Sequence, residues 1–266
     1  MKVLFLDAYN LIHRAKSGFR DGEFSVVFNF FRGIRPIVEK FNPDKVYFVI
    51  EGNPKHRVIL LKDYKGNRPE QTKSFLRQKG IIIDTVRDHF PFTVAVHPDF
   101  ECDDVIAELV KHHASVGHSC TIVSSDTDFI QLYDIFGKNV EIYNPIKKSI
   151  VERPGYDYLT WKSLRGDKSD NISGIPGIGD KRAAALVSNS KKLRDLLRDD
   201  IKYSIFERNI ELIEFKPIDG GVSSISMSRD TANWFAIKSL FELLGFKTIV
   251  SDKTWKKYTN TFNCLK

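Results

Sequence analysis

Short apolar runs alternate with amphipathic stretches through the first two-thirds of the chain, the pattern of a parallel sheet joined by crossover helices. Lys2–Leu6 reads as a strand ending at Asp7. From Phe24 to Phe41, Val27, Phe30, Phe31, Ile34, Val38 and Phe41 recur near helical spacing, with a kink expected at Pro36. Lys45–Ile50 is almost continuously apolar, as a strand buried on both faces is, and ends at Glu51. Phe92–Val96 predicts a third strand, followed by Glu101, Asp103 and Asp104 and a helix over Val105–Val116. Cys120–Val123 predicts a fourth, running into Ser124-Ser125-Asp126-Thr127-Asp128. Val140–Tyr143 and Ser149–Val151 predict a strand pair at the sheet edge.

Beyond Pro154 the pattern changes. Helices are expected at Tyr156–Arg165, Lys181–Ser188, Ile201–Glu214 and Arg229–Leu244, with a Gly- and Asp-rich loop over Gly166–Gly179. A division near residue 155 is therefore expected, into an α/β part, 1–155, and a helical part, 156–266, with a core shared between the two as the alternative. Between Glu51 and Phe92 lies a basic segment carrying Lys55, His56, Arg57, Lys62, Lys65, Arg68, Lys73, Arg77, Lys79 and Arg87. It leaves directly from a strand end that bears a carboxylate.

In an open α/β sheet, ligands bind at the carboxyl ends of the strands. Here four strand ends deliver acids: Asp7, Glu51, the Glu101/Asp103/Asp104 group, and Asp126 with Asp128. Singly, each has a structural explanation as a cap or first-turn acid. Together they repel unless cations neutralise them. Hard divalent ions suit such oxygen donors, and Mg²⁺ or Mn²⁺ fits better than zinc because no soft ligand joins the set. Asp167 and Asp170, in Gly166-Asp-Lys-Ser-Asp-Asn171, extend it to nine carboxylates, enough for two ions sharing ligands. Two ions about 4 Å apart suit in-line displacement at phosphorus.

Composition narrows the field. With 266 residues, 42% hydrophobic and 12% aromatic, the chain is neither disordered nor of low complexity. No apolar run is long enough to span a bilayer. Three widely spaced cysteines and no secretory signal predict a reducing cytoplasm. His112, His113 and His118 read as a solvated helix end, not a zinc site. The 41 Lys and Arg exceed the 34 Asp and Glu by 7. Without the nine site carboxylates only 25 acids remain, so a shell of +16 surrounds a pocket of −9, which suits a phosphate-rich partner.

The turn Gly174-Ile-Pro-Gly177-Ile-Gly179-Asp-Lys181 precedes a helix and has the helix-hairpin-helix pattern. Its glycines allow backbone N–H groups to approach phosphate, and the following helix N-terminus adds a favourable dipole. Such an element reads the backbone, so binding independent of DNA sequence is expected.

Over about Met1–Phe215, these motifs, in this order, resemble the flap endonucleases, the 5′-nuclease family. The chain is most similar to free-standing bacteriophage members and to the N-terminal nuclease domain of bacterial DNA polymerase I. The resemblance implies an α/β fold: a PIN-like parallel-sheet core with helices on both faces, a basic helical arch at about 55–90, and a C-terminal helix-hairpin-helix extension at about 166–190. It implies a structure-selective 5′-nuclease of replication or repair. Asp7, Glu101, Asp103, Asp104, Asp126, Asp128, Asp167 and Asp170 match the family's metal-site acids, with Glu51 standing where relatives usually carry Asp. Lys65 and Arg68 match basic arch residues at the scissile phosphate, and Arg14 another phosphate contact. His13 stands where relatives often carry a base-stacking Tyr or Phe. Gly174, Gly177, Gly179 and Lys181 would hold duplex. The cofactors implied are two Mg²⁺ ions, replaceable by Mn²⁺, with a monovalent cation at the hairpin; the partners are flap, nicked or recessed-end DNA or an RNA–DNA hybrid, taken by a monomer. Three alternatives stay open: a ribonuclease H type enzyme removing RNA primers, a non-catalytic DNA-structure-binding protein, and a PIN-type ribonuclease, which would not explain the hairpin.

Overall fold

The computed structural model describes residues 1–18, 22–228 and 231–265. Five parallel strands form the centre: β1 (Lys2–Asp7), β2 (Lys45–Val49), β3 (Thr93–Val96), β4 (Ser119–Val123) and β5 (Val140–Asn144). With the short antiparallel edges β6 (Ser149–Ile150) and β9 (Ser226–Met227), the order is β6-β5-β4-β1-β2-β3-β9. The chain runs from β1 outward through β2 to β3, then crosses to β4 on the other side of β1. Asp7 stands opposite Val49, and Leu6 opposite Val123, so the carboxyl ends of β1, β2 and β4 lie level at this switch point.

Alternation along each strand feeds two cores. Leu4, Leu6, Val46, Phe48 and Val94 face one side, where α1 (Ala8–Ala15), α2 (Ser25–Phe41) and α4 (Lys73–His89) pack. Val3, Phe5, Tyr47, Val49 and Ile122 face the other, against α5 (Cys102–Ser115) and α6 (Leu132–Phe136). The α2 helix runs through Pro36. The basic segment folds as α3 (Lys55–Leu60), a turn, and α4; Phe75, Ile82 and Val86 anchor α4 in the core.

The second half begins with α7 (Tyr158–Arg165) and a two-residue ribbon of β7 (Gly166–Asp167) and β8 (Ile172–Ser173). Next come α8 (Asp180–Val187), α9 (Ser190–Leu196) and α10 (Asp200–Ile213). Leu164, Ile175, Ile178, Ala183 and Leu186 form a separate small core there. The remainder departs from a division at residue 155. β9 pairs with β3, and α11 (Trp234–Leu243), α12 (Lys247–Val250) and α13 (Asp252–Asn260) return to the first half. Ile237, Phe241, Phe246, Tyr258 and Phe262 join Phe31 and Phe90 in the first core. The expected helix start at Arg229 lies outside the described residues; the helix begins at Trp234. No helix among the described residues is long and apolar enough to cross a membrane.

Candidate active site

The carboxylates collect in two groups. In the first, one ligand atom each from Asp7, Cys102 and Asp103 lies within 4.8 Å of the others. Asp7 ends β1 and caps α1, accepting from the Asn10 amide at 3.0 Å and from Ser124 Oγ at 2.7 Å. Asp103 comes from the first turn of α5. Glu51 follows β2 and accepts from the Cys102 amide at 3.2 Å. Burial pushes the Asp7 carboxyl up to about 6, with Asp126 and Glu51 adding repulsion against the two hydrogen bonds. Burial, then Asp126, Asp7 and Glu51, hold Asp103 well above the usual carboxylate range. Glu51 is raised mainly by burial, with Lys65 opposing.

In the second group, Asp128, Asp167 and Asp170 bring ligand atoms within 4.8 Å of one another. Asp128 arrives on the loop after β4, and the other two on the β7–β8 ribbon and its turn. Burial pushes Asp128 up to about 7, with Asp126 adding to it. Repulsion from Asp126 thus contributes to the shifts in both groups. Burial would raise Asp167 as well, but Lys162 outweighs it and leaves that carboxyl below its ordinary value.

Cations already reach into both groups. Lys65 Nζ pairs with Glu101 and lies 3.8 Å from Glu51. Lys65 has a left-handed backbone, φ +56°, and its N–H donates to the Asp170 carbonyl at 3.0 Å, which turns the side chain inward. Arg68 pairs with Asp170 at 2.6 Å. In the second group the buried Lys162 ammonium bridges Asp128 and Asp167, lying 2.5 Å from the latter. Tyr64 Oη stands within donating distance of both Glu101, 3.0 Å, and Asp170, 3.2 Å, and its one proton serves either acid.

One predicted ligand has another occupation. Asp104 is fully buried, and its two oxygens accept from Arg57 at 2.6 and 2.8 Å, with the Lys216 amide at 2.9 Å. Arg57 also reaches Glu101 at 2.8 Å. Arg57 is therefore not part of an exposed basic surface, because the two acids need an internal counter-charge. Cys102 is a second departure. Its buried sulfur lies 3.1 Å from Asp103 Oδ1 and 3.6 Å from Asp7 Oδ1, so a soft atom stands among the acids of the first group. Lys162 and Tyr64 went unmarked in the sequence. Lys162 stands five residues before Asp167 on an amphipathic helix, where only folding reveals that it points inward.

The phosphate-binding candidates lie further out. His13 is exposed and packs against the Phe75 ring at 4.8 Å, and burial of one face lowers its pKa, with nearby cations adding to this. Arg14 lines a groove of about 740 Å³ with Arg32 and Lys148. In the glycine-rich turn, Gly174 meets a packing demand: a Cβ there would lie 2.1 Å from the Arg165 carbonyl oxygen. Gly177, at φ +76°, and Gly179 face open space, and Lys181 is exposed. Among the histidines, His113 is buried rather than solvated, bonded to His118 at 2.9 Å and Tyr47 at 3.1 Å. Burial pushes it down to about 4.

The donors fit divalent cations. Both groups present mutually close ligand atoms, and burial with repulsion from neighbouring acids disfavours the ionised form of Asp103, a cost that a bound cation offsets. An open α/β sheet with acids at its switch point and basic side chains paired to them is a site suited to divalent cations and phosphate. The chain belongs to the 5′-3′ exonuclease family: the profile described as "5'-3' exonuclease, N-terminal resolvase-like domain" matches residues 2–158. A 5'-3' exonuclease of Mycoplasmopsis pulmonis is 30% identical over 73% of this chain and 69% of its own length. The thermostable DNA polymerase I of Thermus thermophilus is 27% identical over 86% of this chain, which spans 28% of that protein. In fold, the chain is similar to the flap endonuclease of bacteriophage T5, solved with DNA and metal ions (TM-score 0.68, 18% identity, 81% of this chain, 89% of that one). It is also similar to the catalytic core of Rad2 in complex with a DNA substrate (TM-score 0.56, 15% identity, 97% and 92%).

Proposed function

We propose that this protein is a structure-selective 5′-nuclease that hydrolyses DNA phosphodiesters at 5′ flaps and recessed 5′ ends, leaving a 5′-phosphate and a 3′-hydroxyl. The observation that carries this reading is the pair of carboxylate groups, with Tyr64 in reach of Glu101 and Asp170 and with Lys65 and Arg68 paired to those same two acids. Asp7, Glu51, Glu101, Asp103 and Asp126 would hold one Mg²⁺, and Asp128, Asp167 and Asp170 a second. Asp104, bonded to Arg57, positions Glu101 instead of ligating. When bound, the ions supply Lewis acidity for the attacking water and the leaving oxygen.

The chain's own groups do the rest. Lys65 and Arg68 are already paired with the acids, so an arriving phosphate replaces their carboxylate partners with its own oxygens, and the two cations neutralise the charge that develops on it. Arg14 and His13 extend that contact along the end of α1. The turn at Gly177 and Gly179, where little crowds the backbone, would hold the duplex backbone together with Lys181. Action on DNA in a cytoplasm suits three cysteines that are all unpaired.

The decisive experiment compares matched 5′-flap, nicked-duplex and RNA-primed substrates with and without Mg²⁺. Flap cleavage dependent on Mg²⁺ is expected. Absence of cleavage on every substrate overturns the reading, and cleavage of the RNA-primed duplex alone converts it to primer removal.

A further inference from the structure

The Cys102 thiol occupies a place that an oxygen-only cation site would leave apolar. It is buried, at the first position of α5, with Asp7 on one side and Asp103 on the other. Its sulfur lies 3.1 Å from Asp103 Oδ1 and 3.6 Å from Asp7 Oδ1. Metal–oxygen and metal–sulfur bonds of about 2.1 and 2.3 Å place two donors on one ion about 3.1 Å apart at a right angle and about 3.6 Å apart at a tetrahedral one. The sulfur therefore stands from each of the two carboxylate oxygens at a distance that ligands of a single ion have. The other two cysteines belong to neither acidic group.

We propose that Cys102 is a ligand to the sheet-edge cation, so that this site takes thiophilic divalent ions such as Cd²⁺, Zn²⁺ and Co²⁺ more tightly than an all-oxygen site does. The inference rests on the reading of Asp7 and Asp103 as metal ligands. Coordination forms one sulfur–metal bond and releases the thiol proton to solvent. The second group, built only from Asp128, Asp167 and Asp170, lacks this preference. The two sites therefore differ in softness, and a mixture of ions sorts between them.

The test is a Cd²⁺ titration of the whole protein under reducing, phosphate-free conditions, read by thiolate-to-metal charge-transfer absorption. Mn²⁺ binding is followed in parallel by electron paramagnetic resonance. The wild type should gain the band with the first equivalent of Cd²⁺. Cys102→Ala should lose it and bind Cd²⁺ more weakly by on the order of tenfold or more, while Mn²⁺ binding stays. Cys120→Ala and Cys264→Ala should keep the band. A wild type that binds Cd²⁺ without the band overturns the proposal, as does a band that survives in Cys102→Ala. If the wild type binds neither Cd²⁺ nor Mn²⁺, the assignment of Asp7 and Asp103 fails first, and Cys102 with it.

Discussion

The two acidic groups look alike as lists of residues and differ in how each manages its charge. At the sheet edge, the acids come from strand ends held level by parallel register, and their cation, Lys65, sits on a half-exposed loop. In the second group, the acids come from a loop and a two-residue ribbon, and their cation is Lys162, with a side chain only 3% exposed. Burial raises the Asp7, Glu51 and Asp103 carboxyls of the first group, as it raises Asp128 in the second. The second already contains a resident ammonium that holds Asp167 down. A rigid sheet edge can keep like charges together in wait for an ion, whereas a loop-built cluster needs an internal counter-charge to hold its shape.

That contrast predicts unequal consequences. Asp103→Asn should lower flap cleavage in Mg²⁺ by on the order of 10³-fold or more, with flap affinity retained. Asp128→Asn should cost less, about tenfold to a hundredfold. Equal losses in single-turnover assays would erase the distinction between the groups.

Lys162→Met strips the second group of its counter-charge. It should destabilise the metal-free protein by about 3 kcal/mol in denaturant unfolding at neutral pH, and saturating divalent cation should restore much of that. Failure to recover would mean that Lys162 does not stand where a cation fits.

A smaller effect is expected from pH. The folded-state values of about 6 for Asp7 and about 7 for Asp128 exceed the ordinary 3.8. Between about pH 4 and 7 the native state therefore binds more protons than the unfolded chain, so this contribution to stability is lost as pH rises. Melting temperatures in chelator from pH 5 to 8 should fall more steeply for the wild type than for a variant carrying Asp7→Asn and Asp128→Asn. Divalent cation should flatten the difference.

The smallest change tests the outlying turn. Gly177→Val places a β-branched residue at φ +76°, costing about 1–2 kcal/mol of local strain. Duplex affinity by fluorescence anisotropy should weaken while Mn²⁺ binding at both acidic groups stays unchanged. An unaltered affinity would remove the turn from the DNA-binding surface.

Much of the α/β core was legible because strands buried on both faces must read as apolar runs, and Lys2–Leu6, Lys45–Ile50 and Cys120–Val123 do. Short elements escaped: β9 is only two residues long, and the β7–β8 ribbon lies inside a glycine-rich stretch that reads as loop. In the basic segment, residue type alone does not separate Arg57, which is buried, from exposed Arg68. The return of Ile237, Phe241 and Tyr258 to the first core was equally silent, because an amphipathic helix carries no label for the face it will cover.

By itself the sequence determined that carboxylates would stand at consecutive strand ends, since strand period and the right-handed crossover leave few places for them. Tertiary structure alone decided their roles. Charge is a property of a neighbourhood, not of a residue type. Arg57 claims Asp104, Lys162 settles between Asp128 and Asp167, and Cys102 turns its thiol toward Asp7 and Asp103. Each of these pairings joins residues that only packing brings within hydrogen-bond reach, or that stand side by side without the sequence saying which way they face.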